Sequence, residues 1–576
     1  MIPKKKSCFF AFENWINPTI LRKLIFLCLL QLAVFCSHAQ SIRLRVSSNS
    51  AQEQKIIDSI PVKQQHESLE SALEAGNQLM EALQKKGYLE SSYTKLKQPN
   101  DSICELHFDL KSLTKTARIY CGEQRALFSN SPYTLVGDTL VVPYVSITTA
   151  LESGLKNLEK NGQVLAKLQL VSIEKHSNYI TANLQYTAEQ NRKLDAIVLR
   201  GFTNFPAGHL KSLTKQYQKN TFNAALAKRI KKDFDSYPFC TQIKPPEIQF
   251  TKDSTSLYIY LQKRNANSFD GFLGFSNNES RNIVLSGYVD VVLQNVLNRG
   301  ESIEINWKSN GNLQKTFAGQ VELPYLFGSP LALKANLQIF QQDSTFQRTK
   351  TDVQLGYWFR FNKRAYLGYQ STESSDIQNV NLATLSDFTN QFTTANYSYT
   401  DYSNEELVFP ERAKMTITIG LGNRNTSTQK NRQYYMSSYL MKDWKINTKN
   451  QLLVRNELYY LQSKSYLINE LLRYGGINSI VGFNENSLQG NFLNAARVEY
   501  RKNLSQTLYW SSVLDYGFYQ DKTISEQYES LTGIGTGLKL ANKNGLLSIL
   551  YAVGSTAKQQ LDTKNALIQI SFKTFF

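Results

Sequence analysis

After about residue 267 the helical period vanishes. What remains, as far as Phe576, is a succession of short segments with apolar residues at every second position. In 283–293, Ile283, Leu285, Val289, Val291 and Leu293 alternate with Ser286, Tyr288 and Asp290. In 352–360, Val353, Leu355, Tyr357 and Phe359 alternate with Asp352, Gln354 and Arg360. A strand that crosses a membrane in a barrel needs this pattern: one apolar face for lipid and one polar face for a wet lumen. About sixteen such segments fit, at about nineteen residues per strand and connection, a normal spacing for an even-stranded barrel. The last segment carries Ile568, Ile570, Phe572, Thr574 and Phe576. A soluble sandwich or propeller would leave that edge open, whereas a barrel pairs it with the first strand. The predicted seam joins residues 269–275 to residues 566–576. Composition agrees, since Tyr (32) and Phe (31) far outnumber Met (5) and Cys (6), a bias towards strands and interfacial rings. A mean hydropathy of −0.37, with no run of eighteen apolar residues, excludes a helical membrane protein.

Residues 1–39 read as a secretory signal peptide. Lys4, Lys5, Lys6, Arg22 and Lys23 form the basic region, 24–36 is the apolar core, and Ser37-His38-Ala39 offers small residues for cleavage. Export leaves Cys104, Cys121 and Cys240, an odd number, so one bridge at most forms. Cys104 and Cys121 could face each other across a hairpin or be two buried thiols. The net charge of +18 falls to about +14 once the signal is removed. Such a balance suits anionic head groups or acidic partners, and export argues against nucleic acid.

Between residues 40 and 266, helical and strand periods alternate in three units of about 75 residues, each read as β-α-α-β-β. Their predicted bounds are 40–113, 114–190 and 191–266, followed by the barrel at 267–576. Leu69, Leu73, Gly76, Met80 and Leu83 mark a helix in the first unit; Ile147, Leu151, Leu155 and Leu158 mark one in the second. In the third, Leu210 and Leu213 mark one helix, and Phe222, Leu226, Ile230 and Phe234 another that Pro238 ends. A helix pair over a three-stranded sheet suffices for a small core, and the open sheet edge can accept a strand from a partner.

An α+β series of such units followed by a sixteen-stranded antiparallel transmembrane barrel resembles the BamA/TamA outer-membrane assembly superfamily. Its β-α-α-β-β units are POTRA domains, and three of them bring this chain nearest TamA in architecture. The segment "GGINSIVGFNENS" at 475–487 resembles the family's lumen loop, with Gly475, Gly476, Ser479, Val481, Gly482 and Phe483 as its motif residues. Asn298-Arg299-Gly300, "LPYLFGSPLAL" at 323–333 and "LDYGF" at 514–518 resemble other family turns and strands. The family's loop arginine is Val481 here, and its acidic partner corresponds to Asp515. Arg473 is the substitute cation expected from sequence. Phe572 and Phe576 correspond to the family's C-terminal barrel signature. The resemblance implies an outer-membrane location with the POTRA units in the periplasm. It further implies outer-membrane lipids, client barrels or secreted proteins, and a periplasm-spanning protein at the POTRA units as partners. Function would lie in inserting or folding barrel proteins by strand addition and a lateral seam.

The residues show no enzymatic constellation and no cofactor motif. His66, His107, His176 and His209 lack metal-ligand spacing, and no nucleophile elbow or phosphate loop appears. Gly533-Ile534-Gly535-Thr536-Gly537 sits inside a strand pattern, which reads as small inward residues or close packing. Lys228, Arg229, Lys231 and Lys232 read as a solvated helix face or a contact for anionic head groups. Two other functions fit the same pattern: a two-partner-type secretion pore, and a surface receptor or adhesin acting through a long loop at 372–391.

Overall fold

The computed structural model describes residues 42–96, 102–187, 190–277, 283–310, 314–378, 384–403, 409–542, 545–557 and 559–576. The signal segment at 1–39 lies outside the described residues. Two compact units form, one ending at Gln190 and the other beginning at Asn191.

The first unit holds two α/β modules. Strands β1 (Ile42–Ser48), β2 (Gln65–His66), β3 (Ser92–Lys95) and β4 (Ile103–Asp109) make the first sheet, in the order β2-β1-β4-β3. Its long helix, Leu69–Lys85, starts at Ser68 with a reciprocal cap. The Ser68 hydroxyl accepts from the Ser71 N–H, and the Ser71 hydroxyl accepts from the Ser68 N–H. The helix buries Ala72, Gly76, Leu79 and Leu83 on the sheet. Leu73 and Met80, expected on that face, are only partly buried. Gly76 is required by close approach, because a Cβ there would stand 2.4 Å from Leu106.

The second module departs from the expected order. Its strands are β5 (Thr116–Tyr120), β6 (Thr134–Val136), β7 (Thr139–Pro143), β8 (Lys167–Lys175) and β9 (Tyr179–Thr187), in the order β6-β7-β5-β9-β8. A 3-10 helix, Gly122–Phe128, and the β6–β7 hairpin stand where a first α-helix was expected. Gly137 at φ +58° followed by Asp138 makes the two-residue turn, and the β-branched run before Pro143 favours strand. The second helix, Ile147–Lys160, covers the sheet with Ala150, Gly154 and Leu158. Cys104 and Cys121 are free thiols in two separate cores, so the hairpin disulfide does not form.

The second unit starts with a third module of strands β10 (Ala196–Arg200), β11 (Cys240–Gln242), β12 (Glu247–Phe250) and β13 (Thr255–Lys263). Pro245-Pro246 separates β11 from β12, because neither proline can donate to a ladder. Helix Ala224–Asp235 is capped by Asn223, whose side chain accepts from the Leu226 N–H at 2.8 Å, and buries Leu226, Ile230 and Phe234. In every module the first strand pairs in parallel with the last: β1 with β4, β5 with β9, β10 with β13. These are small POTRA-like α/β domains.

The rest is a closed antiparallel barrel of sixteen strands. The first half comprises β14 (Ser268–Asn277), β15 (Ile283–Gln294), β16 (Ser302–Asn310), β17 (Gln314–Leu323), β18 (Leu331–Gln342), β19 (Phe346–Arg360), β20 (Lys363–Asp376) and β21 (Phe388–Tyr402). The second half begins with β22 (Glu411–Asn425), β23 (Lys430–Lys445) and β24 (Asn450–Gln462). A short ribbon, β25 (Leu472–Tyr474) with β26 (Leu488–Gly490), then leaves the wall. The wall resumes with β27 (Phe492–Asn503), β28 (Leu508–Gln520), β29 (Glu529–Asn542), β30 (Gly545–Thr556) and β31 (Leu567–Phe575). Side chains are sorted as the alternation requires. On β19, Leu355 is 55% exposed on the outside while Gln354 is 5% exposed on the inside. Leu367, Tyr369, Ile568, Ile570 and Phe572 also face outward, and Gln370, Thr372, Ser374 and Asp376 face inward. An apolar exterior around a polar interior is a surface built for lipid. Residues 372–376 and 388–391, expected to belong to a long loop, are strand in β20 and β21.

The third module packs on the near end of this barrel through His209, on helix Ala207–Tyr217. Its ring lies 4.7 Å from Tyr325 and 5.5 Å from Phe361 of the barrel turns, 5.7 Å from Trp358 near the end of β19, and 5.0 Å from Tyr237 of its own module. Gly300, at φ +81°, lets the β15–β16 turn reach the imidazole; a Cβ there would stand 2.0 Å from Nε2. Asp233 accepts from the Tyr217 hydroxyl at 2.6 Å and lies 3.8 Å from Arg360 of the barrel. The basic helix face is partly engaged, with Lys231 on Asp235 at 2.7 Å and Lys232 3.9 Å from Asp401.

Candidate functional site: the lumen loop and the barrel seam

Residues 475–487 fold back into the lumen between the β25–β26 ribbon and the wall. Three glycines make the path: Gly475, Gly476 and Gly482 have φ of +111°, +95° and +81°. Ile480 and Phe483 pack with Tyr474, Leu493, Ala495 and Leu531; Val481 packs with Val513, Leu550 and Ala552. The tip seats in a slot that side chains would fill. Gly533 and Gly554 are register partners on β29 and β30. A Cβ on Gly533 would stand 2.3 Å from the Val481 carbonyl, and one on Gly554 2.6 Å from the Gly482 carbonyl. Of the Gly-rich stretch at 533–537, Gly533 thus makes room for the loop, while Gly535 and Gly537 pack closely on β30.

Asp515 is 1% exposed and faces this loop from β28. One oxygen accepts from the Val481 N–H at 2.8 Å. Its cation is Arg497, directly opposite on β27, which donates from Nε at 2.6 Å and from Nη2 at 2.7 Å. Arg497 also donates to the carbonyls of Ile477 (2.9 Å) and Ser479 (2.8 Å). Arg455 on β24 adds bonds to Asn478 (2.8 Å) and Ser479 (2.5 Å), and Lys308 pairs with Glu485. This corrects the expected Arg473–Asp515 lock. Arg473 stands on the ribbon, 5.7 Å from the rings of Phe340 and Phe346, and stacks there instead. Val481 does not leave the acid unpaired, because the wall supplies the base and the loop supplies only backbone. Planar guanidinium matches carboxylate bidentately, so the wall pair is preorganised to clamp loop carbonyls. Arg497 and Arg455 had not been singled out in the sequence. The signal was in Arg497-Val498-Glu499-Tyr500-Arg501, a charged inward row on an alternating strand. That row continues with Arg501 on Asp443 (2.8 Å) and Lys539 on Glu499 (2.6 Å).

The seam is the second feature. β14 and β31 share three register pairs: Ser268 with Phe575, Phe269 with Thr574, and Asp270 with Lys573. Other neighbours in the wall share eight to fourteen. The Phe576 N–H donates to the Asn267 carbonyl at 3.1 Å, and the Thr574 hydroxyl to the Phe269 carbonyl at 2.8 Å. Phe572 and Phe576 are each about half exposed. Among the described residues, β14 beyond Asp270 has ladder partners on β15 alone.

No protein-family model and no curated protein matches the chain. Among solved structures, CdiB from Acinetobacter baumannii is 12% identical and matches over 98% of this chain and 100% of its own, with a TM-score of 0.50. The two share a fold. CdiB from Escherichia coli is 13% identical over 87% of this chain and 97% of its own (TM-score 0.48). BamA from Haemophilus ducreyi lacking POTRA domains 1–3 is 16% identical over 75% and 93% (TM-score 0.44).

Proposed function

We propose that this chain is an outer-membrane factor of the BamA/TamA superfamily, nearest TamA in architecture, that helps barrel proteins insert or fold. The observation that carries the reading is the short seam. Unpaired backbone in lipid is costly, so a wall held by three pairs can part where its neighbours cannot, and can offer β14 to a client strand. In this reading residues 1–39 are a cleaved signal peptide. The modules at 40–113, 114–190 and 191–266 are periplasmic POTRA domains, whose free edges add strands from clients or from a periplasm-spanning partner. Residues 475–487, clamped by Asp515 and Arg497, brace the lumen while the seam works. The test is a Phe269→Cys/Thr574→Cys pair, which places two thiols at seam register partners. Oxidation is expected to reproduce the loss of other barrels that depletion causes in outer-membrane proteomics, and a reductant to restore them. Unchanged abundance of every other barrel after depletion would refute the assembly role.

One observation favours a second reading. A cavity of about 1410 Å³ lies in the lumen, lined by residues including Asp290, Lys308, Glu499 and Lys573, and a secretion pore needs such a space. Large, persistent conductance in planar bilayers would select that reading.

A further inference from the structure

The polar face of the seam carries an unequal set of charges. Asp270 on β14 sits directly opposite Asp290 on β15, and on its other side directly opposite Lys573 on β31. All three line the lumen cavity, with Tyr288. The Tyr288 hydroxyl donates to Asp270 at 2.6 Å and also meets the backbone of Phe572, at the point where the β14–β31 ladder stops. Around them the register neighbours are neutral or already engaged. Asn306 faces Asp290, Leu546 faces Lys573, and Lys308, opposite Tyr288, holds Glu485 of the loop. Like charges directly opposite each other on neighbouring strands repel. Among the described register neighbours, the cation facing the Asp270–Asp290 pair therefore stands on the strand that must leave when the seam opens.

We propose that Asp270 and Asp290 form a charge-selective strand receptor, filled at rest by Lys573, that admits an incoming β-strand carrying Lys or Arg on its lumen face level with them. The inference rests on the seam reading above and adds the client chemistry to it. A client strand with a neutral or acidic residue at that level leaves two carboxylates facing each other, whereas a basic one restores the resting charge set. The phenol of Tyr288 then meets the client backbone as it meets Phe572.

The test uses the full chain bearing Lys573→Gln, which weakens the resident strand, in proteoliposomes of phosphatidylethanolamine and phosphatidylglycerol. Heat-dependent gel mobility verifies that the barrel is closed. The probe is a synthetic peptide with the sequence of residues 566–576, carrying benzoyl-phenylalanine in place of Phe576. A second peptide differs by Lys573→Glu. The lysine peptide is expected to label β14 about tenfold more than the glutamate peptide, the effect of replacing an attraction by a repulsion in a wet site. In an Asp270→Asn/Asp290→Asn barrel the preference disappears, and in an Asp270→Lys barrel it reverses. Equal labelling by the two peptides, or a preference that survives in the Asn barrel, would overturn charge selection while leaving the seam as a strand acceptor. Labelling by neither peptide would remove the seam reading and this inference together.

Discussion

Removing Arg497 is the sharpest probe of the lumen clamp. Arg497→Ala deletes two bonds to Asp515 and two to loop carbonyls, and leaves a carboxylate of 1% exposure with the Val481 N–H. Breaking a buried pair from one side costs about 3–5 kcal/mol, because the surviving charge stays desolvated. Arg497→Lys keeps the charge but loses the planar fork, so it is expected to cost less than Arg497→Ala without being neutral. Replacing both groups, as in Arg497→Met/Asp515→Leu, removes the stranded charge and leaves mainly the orphaned Val481 N–H, about 1–3 kcal/mol. Urea unfolding of the detergent-solubilised barrel, followed by tryptophan fluorescence, gives the midpoints. Limited proteolysis within 475–487 reports the loop itself. The expected order of stability is wild type, double variant, then Arg497→Ala. An Arg497→Ala cost below about 1 kcal/mol would refute the clamp, as would coupling between Arg473 and Asp515 in a double-mutant cycle.

Gly554→Ala puts a methyl 2.6 Å from the Gly482 carbonyl and is expected to cost about 1–3 kcal/mol as overpacking, with faster cleavage of 475–487 by protease. Burial holds the His209 imidazole neutral, with its pKa lowered from 6.5 to about 3. An undocked third module takes up a proton below about pH 6.5 that the docked one refuses, so docking is at full strength above that value and weakens as pH falls towards 3. At pH 4.5 the loss is on the order of 3 kcal/mol. Burial raises the Asp233 carboxyl, which acts in the opposite sense, so the His209 effect is read as the difference from His209→Leu. Hydrogen exchange of helix Ala207–Tyr217 at pH 7.5 and 4.5 should show protection falling more in wild type than in His209→Leu; equal falls would refute it. Burial pushes the Cys104 and Cys121 thiols up and Cys240 up to about 12, so none should react with iodoacetamide without denaturant.

The barrel was legible because its rule is local. Val353, Leu355, Tyr357 and Phe359 face outward for the same reason they alternate: one side meets lipid and the other a polar lumen. The lock was misread because it joins residues that sequence distance does not relate. Arg473 is close to the loop in the chain but stands on a ribbon whose register turns it towards Phe340 and Phe346. Arg497 and Asp515 become neighbours through the β27–β28 hairpin, and a register centred on Gln506 places them opposite each other. In the second module, Gly137-Asp138 carried a hairpin signal that outweighed an expected helix. The docking histidine gave no warning, since a helix-face His looks alike whether it meets water or an aromatic nest.

The facing glycines 533 and 554 also impose an order of events on assembly. Their groove exists only after β29 and β30 have zipped together, and both strands are synthesised after the segment that fills it. The loop tip must therefore wait for its slot until β29 and β30 have paired, even where Arg455, Arg497 and Asp515 already hold its backbone. Seating of Val481 and Gly482 against Gly533 and Gly554 would come as a late step, reporting that the last strands of the cylinder have closed up.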